Sequence, residues 1–121
     1  MEGLERSPAT ANTMSEEEET QLLARAIIEW GVHSQVDMVI EECAELIQAI
    51  NKMKRMGGFD YPAEGASVKY ALTYTALCSE VADVKIMIKQ LEMILSKEAI
   101  QISYERKLER LKALLTQTPT P

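Results

Sequence analysis

The chain has 121 residues, of which 46% are hydrophobic and only 5% aromatic. That is enough for one domain with a modest core, and it favours helices over a sheet built from aromatic and β-branched runs. The net charge of -6 is local: residues 1–19 hold six acids and one base, the remainder 13 acids and 12 bases, so acidity does not define what the folded part binds, and no stretch nears the roughly 18 apolar residues of a membrane span.

Residues 1–14 are polar, aperiodic and contain Pro8, so they are expected to be a disordered tail. They lack the basic and apolar regions of a secretory leader. Ser15 followed by Glu16, Glu17 and Glu18 predicts a helix start, with Glu18 completing a capping box. The first helix should run to Trp30, with Leu22, Leu23, Ala26, Ile27 and Trp30 on one side, and end at Gly31. A second helix should open at Ser34 or Gln35 and reach Met56 before Gly57-Gly58 stops it. Its apolar stripe is Val36, Val39, Ile40, Cys43, Leu46, Ile47, Ile50 and Met53.

A third helix is expected from Ala66 to Leu95, with Leu77, Val81, Val84, Ile88, Leu91 and Leu95 as its stripe. The fourth spans Lys97 to Leu115 and gives way to a disordered tail over 116–121. Residues 15–115 thus form one helical domain. Four helices with short connections predict an all-α, antiparallel up-and-down bundle. Cys43 and Cys78 lie in apolar registers without C-x-x-C spacing and read as small core residues of a reducing compartment. The expected setting is cytoplasmic.

Two acidic pairs interrupt this apolar pattern. Glu42 with Glu45, and Glu80 with Asp83, stand three residues apart, where side chains share a helix face about 5–6 Å from each other. Each pair is expected at the margin of its stripe, where an uncompensated carboxylate is costly. Four acids converging from two helices call for a counter-ion. A di-iron site would need Glu-x-x-His, and the single histidine, His33, lies outside both pairs. Oxygen-only ligands select magnesium, with manganese as a substitute. Magnesium keeps positions for water and substrate phosphates, which suits polyphosphate hydrolysis. The alternative is that these acids are solvated or paired with lysines such as Lys85 and Lys89.

The motif E-E-x-x-E followed by E-x-x-D resembles the MazG-like all-α nucleoside triphosphate pyrophosphohydrolases. The similarity covers Leu22 to Leu115: the Trp30-Gly31 approach, QVDMVIEECAELIQAI from Gln35 to Ile50, SEVADVKIMIKQLE from Ser79 to Glu92, and KLERLK from Lys107 to Lys112. The resemblance implies a helical bundle that binds magnesium and hydrolyses a nucleoside triphosphate to the monophosphate and pyrophosphate. It implies Glu42, Glu45, Glu80 and Asp83 as metal ligands. Glu41 would help hold a further magnesium or orient the attacking water, and Lys107 and Arg110 would meet phosphates. It further implies a homodimer or homotetramer, with no nucleic-acid polymer and no membrane as partner. The chain departs from compact relatives in the 34 residues between Glu45 and Glu80, which carry Phe59, Tyr61, Tyr70 and Tyr74.

Trp30 can stack on a nucleobase and Gln35 can hydrogen-bond one; the competing reading has Trp30 capping the core and His33 exposed in a turn. Two rivals to the pyrophosphohydrolase stand beside it. One is a non-catalytic helical interaction or regulatory protein. The other is a metal-dependent phosphohydrolase with a different phosphorylated substrate.

Overall fold

The computed structural model describes residues 13–60 and 67–117. They form four helices, α1 (Glu16–Trp30), α2 (Val32–Arg55), α3 (Val68–Ile94) and α4 (Lys97–Gln117). No strand occurs among the described residues, so the fold class is all-α. The expected tails lie outside the described residues except for 13–14 and 116–117, and the last two extend α4 beyond the predicted end at Leu115.

Short polar contacts fix the helix ends. The Ser15 hydroxyl accepts from the Glu18 N–H (3.1 Å) and the Glu18 carboxylate accepts from the Ser15 N–H (2.9 Å), the capping box read from sequence. Gly31 alone joins α1 to α2, its N–H donating to the Ile27 carbonyl (2.8 Å) and its own carbonyl accepting from the Gln35 N–H (3.1 Å). Its φ of 91° is a conformation that glycine adopts without steric cost. The expected linker before Ser34 is therefore absent, and His33 sits exposed in the first turn of α2. Ser67 caps α3 by accepting from the Tyr70 N–H (3.0 Å). The Tyr70 hydroxyl lies within donating distance of the Gly58 and Asp60 carbonyls (3.2 and 3.1 Å), tying the end of the α2 turn to α3.

The α2–α3 pair makes the most extensive helix contact, and α1 packs on both. Gln35 lies opposite Gln90 while Glu42 lies opposite Glu80 and Asp83, so α2 and α3 run antiparallel. The Lys89 ammonium donates to Glu19 and clamps α1 to α3. In contrast, among the described residues α4 meets no helix but α3 and has no buried residue. The four helices are consistent with the expected all-α bundle, in which α1, α2 and α3 form the packed body and α4 joins it through α3. Helical periodicity establishes that α4 has an apolar side, but not that its partner belongs to the same chain.

The core is small. Leu23, Met53, Leu77 and Met87 are its buried apolar side chains, whereas 22 large apolar side chains among the described residues are exposed. Leu22, Trp30, Ile40, Ile47, Val81, Ile88 and Leu95, all expected on packed stripes, are among the exposed set. Trp30, at 64% exposure, does not cap the core. Cys78 is exposed and Cys43 only half-buried, so the expectation of two core thiols fails.

Candidate metal centre

The departures on α2 and α3 share one cause: both packed faces are rotated from the stripes that apolar residues alone define. On α2 a regular series of buried or half-buried side chains runs through Gln35, Val39, Glu42, Leu46, Ala49 and Met53, beside half-buried Val36, Met38, Cys43 and Ile50. On α3 the series is Thr73, Leu77, Glu80, Val84, Met87, Leu91 and Ile94, with half-buried Asp83 and buried Gln90 beside it. Each series advances alternately by four and three residues, the spacing of a helix seam. Glu42 and Glu80 therefore stand in the middle of the packed faces, not at their margins. Fitting the stripes to hydrophobic residues excluded the acids from the pattern, and so displaced it.

Antiparallel packing brings the two acids together. Glu42, Glu80 and Asp83 each offer a carboxylate oxygen, and the three oxygens lie within 4.8 Å of one another. All three residues are half-buried. One oxygen of Glu42 and one of Glu80 (Oε1 in each case) are closed to solvent and accept no hydrogen bond. Burial raises the Glu42 carboxyl above the usual carboxylate range, reinforced by the charges of Glu45 and Asp83 and then of Glu80 and Glu41. Burial likewise raises Glu80, with Glu45 and Asp83 adding to it.

A cation relieves both strains, since it satisfies the buried oxygens and offsets like charges. Magnesium bonds of about 2.1 Å place ligand oxygens about 3–4 Å apart, so the triad needs to tighten by only about an ångström. The donor set is entirely oxygen, as a hard divalent cation requires. Magnesium fits these three residues.

The remaining sequence candidates are distributed differently. Glu45 is exposed and outside the triad, although its charge acts on both Glu42 and Glu80. Glu41 is exposed and contributes the weakest of the charges acting on Glu42. Lys107 and Arg110 occupy the exposed surface of α4, which makes no contact with α2. Trp30 and Gln35 line one groove between α1, α2 and α3, with a volume of about 460 Å³.

That groove holds a residue absent from the sequence reading. Gln90 is 2% exposed, and its side-chain oxygen accepts no hydrogen bond. The groove is otherwise lined by Met38, Met87 and other apolar groups beside Gln35. Gln35 and Gln90 each lie seven residues from a triad member, Glu42 and Asp83 respectively, about 10 Å along their helices. Met38 and Met87 fill the intervening turn. No signal in the sequence marks Gln90, because a lone amide on a helix has no periodic signature. Compared with protein-family models, with curated proteins and with solved structures, the chain finds no match in any of the three.

Proposed function

We propose that the protein is a magnesium-dependent nucleoside triphosphate pyrophosphohydrolase of the MazG-like kind. The observation that carries this reading is the pair of seam carboxylates, Glu42 and Glu80, with solvent-closed oxygens that have no hydrogen-bond partner beside Asp83. Acids in such a position weaken a helix pair unless a cation offsets them. The groove supports the substrate class. It begins one turn from the triad and offers an apolar wall, two buried amides and the exposed Trp30, a setting for a flat, polar-edged base.

In this reading Glu42, Glu80 and Asp83 would hold the cation, and Glu45 and Glu41 supply further negative charge to the cluster. Magnesium, when bound, neutralises the phosphate chain and acidifies water. The water oxygen forms a bond to the α-phosphorus while the bond from that phosphorus to the α–β bridging oxygen breaks. Pyrophosphate leaves with the bridging oxygen, and the monophosphate keeps the water oxygen. Glu45, exposed next to the triad, accepts the released proton. Gln35 and Gln90 orient the base, and the methionines between them and the acids exclude water from the apolar wall.

The test is a panel of nucleoside triphosphates incubated with purified protein and magnesium, with products resolved. Monophosphate and pyrophosphate should appear together, and both should vanish on chelation and in Glu80→Gln. Release of inorganic phosphate instead of pyrophosphate would favour the phosphohydrolase of other substrates. The non-catalytic interaction protein draws support from the exposed apolar surface of α4. It requires no cation, so it is separated by the absence of magnesium-dependent stabilisation.

A further inference from the structure

The fourth helix has the residue pattern of a seam without the second half. Tyr104, Leu108, Leu111 and Leu115 advance by four, three and four residues along α4, and all are 49% to 66% exposed. Stepping at this spacing places them in one line along the helix. Leu108, Leu111 and Leu115 border an open apolar groove of about 380 Å³. Among the described residues α4 packs against no helix but α3, so this line faces no other described helix of its own body. A solvated row of this kind is uncommon on a soluble helix and marks an interaction face.

The charges beside the row identify its occupant. Glu105 and Lys112 flank one side, and Lys107 flanks the other. We propose that α4 pairs with α4 of a second copy of this chain, antiparallel and about a twofold axis between residues 109 and 110. In that register Leu108 packs against Leu111 of the partner subunit, and Tyr104 against Leu115 of the partner subunit. Antiparallel pairing turns the Glu105 side of one helix toward the same side of the other. Glu105 then meets Lys112 of the partner subunit, and the symmetry repeats that contact. A parallel pair would set Lys107 against Lys112 of the partner subunit, a like-charge contact that disfavours it. The antiparallel arrangement matches the four apolar positions of this row and both Glu105–Lys112 charge pairs with one operator. It is independent of any metal at Glu42, Glu80 and Asp83.

Sedimentation equilibrium of the full chain at micromolar concentrations, without metal, tests the proposal. The expected mass is twice 13.6 kDa, or an even multiple that Leu108→Glu halves. Leu108 is exposed in the single chain, so Leu108→Glu should keep its helix content by circular dichroism while weakening association about a hundredfold or more. Glu105→Lys and Lys112→Glu should each weaken self-association by about tenfold, because each creates two like-charge contacts. Mixed together, these two variants should associate as tightly as the parent, since every contact between them is again of opposite charge. A parent mass of 13.6 kDa throughout, an unchanged mass for Leu108→Glu, or mixed charge variants that stay apart would each overturn it.

Discussion

The α2–α3 pair and α4 use the same four–three spacing for opposite ends. In the pair, the facing helix is present and two seam positions carry acids, Glu42 and Glu80. In α4 the seam positions are apolar and the charges stand at the flanks, but no helix among the described residues faces them. Charge placed inside a seam weakens packing and provides for a ligand. Apolar groups left outside a body provide for a partner. In the proposed reading, the position of charge relative to the seam separates chemistry from association in a chain whose helices otherwise look alike.

The strongest way to break this distinction is to remove the charge from the inner seam. Glu80→Gln should lower turnover by about a hundredfold or more, the scale of losing a principal electrostatic stabiliser. Glu42→Gln should do the same, and the double variant should be little worse than either, because the acids act as one unit. Steady-state pyrophosphate release measures this. Additive losses would mean that Glu42 and Glu80 act separately, against a shared cation.

Glu80→Leu sharpens the same contrast on stability. An apolar residue suits the middle of the packed face beside Leu77 and Val84, so the metal-free variant should melt at a higher temperature than the parent while losing activity. Magnesium at a hundredfold excess over its dissociation constant should stabilise the parent by about 2.7 kcal/mol and leave the variant unchanged. Calorimetry with and without magnesium decides it. A lower melting temperature for metal-free Glu80→Leu would show that the carboxylate is a structural asset.

A gentler effect follows from pH. Both seam carboxyls have folded pKa values raised above their unfolded ones. Where the native state binds more protons, stability falls as pH increases. The metal-free protein should thus lose stability as pH rises from the ordinary carboxylate range through the raised values, then level off once both forms are ionised. Magnesium should flatten this slope, and so should Glu42→Gln with Glu80→Gln. Urea melts at a series of pH values give the slope. A metal-free protein that gains stability over that interval would contradict the crowding of these acids.

Much of this was legible before the structure, and the failures are instructive. The capping box at Ser15, the breaks at Gly31 and Gly57-Gly58, and the acids of the triad all follow from residue type and spacing. What was displaced was rotation about the helix axes. Ile40, Ile47, Val81 and Ile88 fit a helical period as well as the true faces do, and only packing against a neighbour chooses between them. Once Glu42 and Glu80 are admitted as seam residues, the series through Gln35, Glu42 and Met53 and through Thr73, Glu80 and Met87 become regular. Gln90 was illegible for a similar reason, since a buried amide has no periodic signature. The place of α4 was hidden because amphipathicity reveals a face and not the identity of the chain that covers it.

The smallest expected effect tests whether the two regions are separate at all. Lys107 resembles a phosphate-binding residue by its place in KLERLK, yet it lies on exposed α4 beside Leu95, Ile100 and Tyr104. An exposed lysine contributes a flexible charge that water and salt replace readily. Lys107→Ala should therefore lower pyrophosphate release by less than about tenfold, the range of about 1 kcal/mol for an exposed charge contact. The loss should shrink further as salt is raised, because screening already weakens what the lysine supplies. Glu80→Gln, in the same assay, should show no such convergence, since a missing ligand in the seam is not screened away. A loss in Lys107→Ala that rivals Glu80→Gln and persists at high salt would place α4 inside the catalytic centre. The inner seam and the outer helix would then be two halves of one site, joined by the second copy of the chain.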